Sequence, residues 1–104
     1  MDKNKLTKAE IIDNVKKKLE RAGYYDIPAG LLLKVIDCTF ESIKEALIQQ
    51  RTTELRGFGT FEVRVRKGRE KAHNPKTGEI VSVEDHKVAI FRPGIELKKE
   101  LWDS

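Results

Sequence analysis

Residues 57–78 read GFGTFEVRVRKGREKAHNPKTG. Phe61, Val63 and Val65 alternate with Glu62, Arg64 and Arg66, and a period of two is that of a β-strand, whose successive side chains point to opposite faces. The strand continues through Lys67, Gly68, Arg69 and Lys71 and meets no large apolar side chain before Asn74-Pro75-Lys76-Thr77-Gly78, a run of turn-forming residues. Glu79-Ile80-Val81-Ser82-Val83 predicts the returning strand. The pattern is that of a β-hairpin with a base that can be buried and a tip that cannot. A basic ribbon projecting from a body has a reason to be basic if it meets a polyanion, and the phosphate backbone of a nucleic acid is such a polyanion.

The charge distribution supports this reading more than the net charge of +4 does. Arg64, Arg66, Lys67, Arg69, Lys71 and Lys76 face a single acid, Glu70, between positions 64 and 78, whereas the chain before Phe61 is nearly balanced. Solvation alone would be served equally well by mixed signs, so a one-sided run on one element points to a binding surface. Glu79, Glu84 and Asp85 on the return oppose it, which concentrates the attraction on the outgoing strand and the tip.

With 104 residues, 37% of them charged and 7% aromatic, the chain predicts one domain with a modest apolar supply. We take residues 1–63 and 88–104 as its body and about 64–87 as the arm. A body that gives up its arm is marginal on its own, and a symmetric second copy is the simplest cover. Cys38 is the only cysteine, which excludes an intrachain disulfide and fits a reducing compartment. No apolar run reaches the length of a membrane span and the opening MDKNKLTKAE lacks a signal-peptide core, so the expected location is cytoplasmic.

Working outward, Thr7-Lys8-Ala9-Glu10 is a capping box, and Leu6 with Ile11 can staple it. Ile11, Ile12, Val15 and Leu19 recur at helical spacing up to Gly23, predicting a helix over about 8–22. Pro28 opens a second helix, about 28–50, in which Leu31, Leu32, Val35, Ile36, Phe40, Ile43 and Leu47 form a stripe too wide for one helix to cover. Residues 53–56 form a short strand. Val88-Ala89-Ile90-Phe91 returns the chain to the body, and 95–101 form a last short helix on which Trp102 is expected to pack. The order of two helices, three strands and a helix is α+β.

Four motifs in this order resemble the bacterial HU and integration host factor family of histone-like DNA-bending proteins: Leu-Thr-Lys-Ala-Glu at 6–10, Gly-Phe-Gly-Thr-Phe at 57–61, Asn-Pro-Lys-Thr-Gly at 74–78 and Phe-Arg-Pro-Gly at 91–94. The resemblance covers nearly the whole chain. It implies an intertwined homodimer, or a heterodimer with a closely related chain, whose helical body carries a three-stranded antiparallel sheet extended into long β-hairpin arms. The arms would lie in the minor groove of double-stranded DNA in the bacterial nucleoid, with Pro75 inserted between base pairs. Arg64, Arg66, Lys67, Arg69, Lys71, Lys76 and Lys87 would contact phosphates or the groove floor, with His73 and Asn74 beside the wedge.

The departures from the family pattern are local. His73 stands where arginine is usual, and an imidazole makes a weaker phosphate contact near neutrality. Ile95 stands where a lysine often follows Pro-Gly. The outgoing strand is longer by about one residue, expected as a bulge near Gly68.

Simpler readings compete with these. A proline in a hairpin turn is ordinary, because it presets φ; at Pro75 the absence of any core at the tip favours a wedge. Phe58, Phe61 and Phe91 fit a core better than a base-stacking platform, since glycines on both sides of Phe58 tuck its ring inward. Cys38 has no activating neighbour in sequence, and His73 and His86 lack metal-ligand spacing. No cofactor or small-molecule substrate is implied, and nothing suggests an enzyme. The reading is therefore an architectural protein that bends, wraps and compacts duplex DNA with low sequence specificity. Its rivals are a site-specific bender of the integration host factor type and a structural module whose hairpin pairs with a protein. Lys3, Lys5 and Lys8 are open between DNA contact and solvation.

Overall fold

The computed structural model describes residues 4–103, apart from the side chain of Ala72. Lys3 lies outside the described residues. The elements are α1 (Lys8–Arg21), α2 (Ala29–Ile48), β1 (Thr53–Leu55), β2 (Gly59–Arg66), β3 (Arg69–His73), β4 (Ile80–Val83), β5 (His86–Pro93) and α3 (Ile95–Asp103). They fall into two compact units, one ending at Ser42 and one running from Ile43 onward.

In the first unit, Thr7 caps α1 as its spacing predicts: its hydroxyl oxygen accepts from the Glu10 amide at 3.3 Å. The reciprocal half of the box differs, because the Glu10 carboxylate accepts from the Thr7 hydroxyl at 3.2 Å. The helix ends where Gly23 takes φ +93°, with the Gly23 amide donating to Glu20 and the Tyr24 amide to Leu19, at 3.1 and 2.9 Å. Those two bonds satisfy carbonyls that the last turn leaves free. Pro28 sits one residue before α2 rather than in its first turn, and its carbonyl accepts from Leu32 at 3.1 Å. Lys8 bridges the two helices by an ion pair to Asp37 at 2.9 Å. Leu32 is 5% exposed and is the one buried hydrophobic residue among those described.

The C-terminus of α2 repeats the ending of α1 without a glycine. Gln50 takes φ +58°, its amide donates to Leu47 at 3.0 Å, and the Arg51 amide donates to Ala46 at 2.8 Å. A side chain in the left-handed region costs roughly 1 kcal/mol that glycine would not incur. Replacement of Gln50 by glycine is therefore expected to raise stability, by about 0.5 kcal/mol once the looser unfolded chain is counted. A denaturant midpoint measured at fixed protein concentration would show it, and a lowered midpoint would contradict it.

The second unit carries an antiparallel sheet in the order β1-β2-β5. Phe61 lies opposite Phe91 and Val63 opposite Ala89, so the apolar alternation of both strands falls on one face. Phe58 joins that face: its ring centroid lies 5.0 Å from that of Phe91 and 6.2 Å from that of Phe61, and the latter two are 4.9 Å apart. The inward tuck expected of Phe58 is partial within the chain, since the residue is 47% exposed.

The hairpin extends from β2 and β5 as a second ladder, β3 with β4. Between the two ladders the strands lapse on both sides, at Lys67–Gly68 and at Glu84–Asp85. Pairing keeps one register across this joint, Arg66 with His86 and Arg69 with Val83. It slips by one residue only before Ala72 meets Val81. The extra residue expected near Gly68 is thus taken up further out, at Glu70–Lys71. Gly68 has a different role: a Cβ there would collide with the Val83 carbonyl, so only glycine lets the strands approach at the joint.

At the other end of the unit, α3 follows Pro93-Gly94, with the Gly94 amide bonded to the Phe58 carbonyl at 2.8 Å. Trp102 does not pack. It is 86% exposed and lines a shallow groove with Ile95, Lys98, Lys99 and Asp103. A nine-residue helix has too little chain to wrap an indole placed at its solvent side. No helix among the described residues is long and apolar enough to cross a membrane.

Candidate nucleic-acid interface

The arm's chemistry starts at its tip. His73 and Ile80 form the last ladder pair, and the Asn74 amide donates to Glu79 at 2.8 Å. The Gly78 amide returns to the Asn74 carbonyl at 2.7 Å, while the Asn74 side-chain oxygen accepts from the Lys76 amide at 3.0 Å. Thr77 Oγ1 accepts from Glu79 at 3.3 Å. These local bonds hold the turn without any core, and they leave Pro75 exposed as the first residue of the loop. A rigid ring is thereby presented at the end of the ribbon, with Lys76 exposed beside it.

Down the ribbon, Arg64, Arg66, Lys67, Arg69, Lys71, His73 and Lys87 are all exposed and Asn74 is half-buried. They do not form one surface. Arg64 and Arg66 lie on the face opposite Phe61, Val63 and Val65, together with Val88 and His86 of the facing strand. They share a shallow groove with Lys67, Val88 and Ile90. Lys87 pairs with Val65 and therefore projects on the other face. The bulge at Glu70–Lys71 changes the alternation between Arg69 and His73.

One cluster was missed in sequence. Glu62, only 18% exposed at its side chain, is held between Arg64 at 3.3 Å and Arg92, and both arginines are 58% exposed. Two guanidiniums around one carboxylate leave a net positive charge at the root of the arm. The signal lay in strand parity: Thr60 lies opposite Arg92, which puts Arg92 on the face of Glu62 and Arg64, but this needs the register of two distant strands. Lys8, open in sequence, is engaged with Asp37. Among the described residues no group of histidine, cysteine and acidic side chains is arranged to hold a metal ion.

Residues 6–101 match the family described as bacterial DNA-binding protein. The chain belongs to the HU and integration host factor family. Integration host factor subunit alpha from Actinobacillus succinogenes is 37% identical over 99 residues, covering 95% of this chain and 94% of the relative. The same subunit from Stenotrophomonas maltophilia is 38% identical over 96 residues, covering 92% and 90%. Among solved structures, HU from Anabaena in a cocrystal with DNA superposes with a TM-score of 0.76 at 30% identity, covering 92% of this chain and 97% of that one. An HU variant from Thermotoga maritima gives 0.60 at 28% identity, covering 92% and 99%. The three helices, the antiparallel sheet and the extended arm are the HU fold, and the family is one of DNA-binding architectural proteins.

Proposed function

We propose that the protein is a non-enzymatic, nucleoid-associated DNA bender that acts as a dimer and works as one domain over residues 1–104. The observation that carries the reading is the arm itself: an exposed basic ribbon ending in a locally braced proline. On this reading Arg64, Arg66, Lys67, Arg69, Lys71, His73, Asn74, Lys76 and Lys87 line double-stranded DNA in its minor groove. Pro75 is the wedge, a mechanism already known for HU and integration host factor. Phosphate neutralisation supplies affinity, and the same attraction extends to RNA. Preference then follows deformability: flexible steps, nicks and mismatches cost less to kink.

The chain's surface supports the dimer. Leu31, Val35, Phe40 and Ile48 on α2 and the rings of Phe58 and Phe91 are exposed, and a second copy or a related chain would cover them.

Energy transfer between the ends of a short labelled duplex tests the bending. Free DNA of that size is stiff, with a persistence length of about 150 bp. Added protein is expected to raise transfer in a salt-sensitive way. Pro75→Ala is expected to reduce the transfer at saturation while binding persists, because the phosphate contacts remain. Binding with no approach of the ends would overturn the bending reading. Capture of a protein partner that survives nuclease, without DNA binding, would favour the interaction module.

The names of the relatives from Actinobacillus and Stenotrophomonas favour a second reading, a site-specific bender that pairs with a related subunit. Competition with random genomic DNA separates the two, since only a specific binder keeps its site.

A further inference from the structure

At the joint between the two ladders, Asp85 reaches across the arm and its carboxylate accepts the Gly68 amide at 2.7 Å. We propose that this bond is a latch that sets the direction of the outer arm, making Asp85 a positioning residue for the wedge. The inference rests on the bending reading above.

Three features converge at the same point. The ladder lapses on both strands there, at Lys67–Gly68 and Glu84–Asp85, so the backbone bonds that hold direction elsewhere are missing. The lapse would leave the Gly68 amide without its ladder partner, and the Asp85 side chain takes that place, as a charged acceptor makes a stronger bond than a carbonyl would. The close approach is possible only because residue 68 has no Cβ, which would meet the Val83 carbonyl.

Lever length gives the latch its consequence. The five residues of β3 extend the arm by about 17 Å beyond the joint, at roughly 3.3 Å each. A swing of roughly 10° at the joint moves the tip by about 3 Å, close to the ~3.4 Å rise between base pairs. A loose joint would present Pro75 to more than one step; a latched joint presents it to one. The charge of Asp85 opposes DNA attraction, while its hydrogen bond fixes geometry. The two effects are therefore separable by substitution.

The test compares the native chain with Asp85→Asn, which keeps the side-chain carbonyl, and Asp85→Ala, which does not. In the free protein, exchange of the Gly68 amide is expected to rise roughly tenfold in Asp85→Ala and by less, about two- to threefold, in Asp85→Asn, whose side-chain carbonyl is the weaker acceptor. On end-labelled duplex at saturating protein, Asp85→Asn is expected to give the native transfer, and Asp85→Ala a lower and broader one. Both variants should bind at least as tightly as the native chain, since each removes an opposing charge. Native transfer by Asp85→Ala, or equal losses in both variants, would overturn the latch. No rise in transfer with the native protein would instead overturn the bending reading, and the amide exchange would still report on the bond.

Discussion

Replacement of Gly59 by alanine is expected to lower the melting temperature by roughly 10–25 °C. Gly59 is the one buried residue of β2, pairing with Leu55 on one side and Pro93 on the other. A Cβ there would lie 2.5 Å from the Arg92 carbonyl oxygen and 2.6 Å from the Phe91 ring. The carbonyl belongs to the sheet's own backbone and cannot turn aside, so either β5 moves or the Phe91 ring leaves Phe58 and Phe61. Overpacking of this kind costs about 1–3 kcal/mol. If the ring leaves instead, its two aromatic pairs cost about 1 kcal/mol each. Either way a loss of about 2–3 kcal/mol is a large share of a typical stability of about 5–15 kcal/mol, and for a domain of this size each kcal/mol shifts the midpoint by about 4–8 °C. Thermal unfolding followed by circular dichroism checks it at fixed protein concentration, because dimerisation would make the midpoint concentration-dependent. Gly30→Ala is the control: a Cβ there meets nothing within 4 Å, and the midpoint should stay close to native or rise. A Gly59→Ala protein that melts with the native one would mean that β5 yields freely.

The contrast between these two glycines shows what could be read from the sequence. Local rules were sufficient where the determinants were local. Thr7 and Glu10 marked the start of α1, Gly23 its end, and the alternation from Phe61 to Val65 together with Asn74–Gly78 gave the hairpin. The arm cations could be named because their exposure follows from the absence of any apolar alternation beyond Val65. What escaped was set by residues far apart in the chain. The acceptor of the Gly68 amide is a carboxylate seventeen positions away, and nothing in Lys67-Gly68-Arg69 announces it. Arg92 joins Glu62 and Arg64 only through the β2–β5 register. Gln50 ends α2 in a conformation usually left to glycine, so α2 was expected to run about two residues too far. Periodicity placed Trp102 on a helix but could not say what would cover it.

The salt dependence of DNA binding is expected to divide the arm cations into two groups. If Arg66, Arg69 and Lys71 each neutralise a phosphate, replacing all three by alanine should reduce the slope of log K against log salt by about 2.7 for each arm engaged, at about 0.9 per contact. Each contact accounts for roughly a 3.5-fold loss of affinity between 50 and 200 mM salt, so the triple variant should bind far more weakly at low salt and converge toward the native chain at high salt. Arg64 should behave differently. Its guanidinium already lies 3.3 Å from Glu62, which it shares with Arg92, so part of its charge is answered within the protein before DNA arrives. Arg64→Ala is accordingly expected to change the slope by less than Arg66→Ala, and Glu62→Gln to steepen it by freeing both arginines for phosphates. Fluorescence anisotropy on one duplex across four salt concentrations would resolve these differences. An unchanged slope for the triple variant would remove Arg66, Arg69 and Lys71 from the footprint. A slope for Arg64→Ala equal to that of Arg66→Ala would mean that the carboxylate releases its arginines at no cost once a phosphate is near.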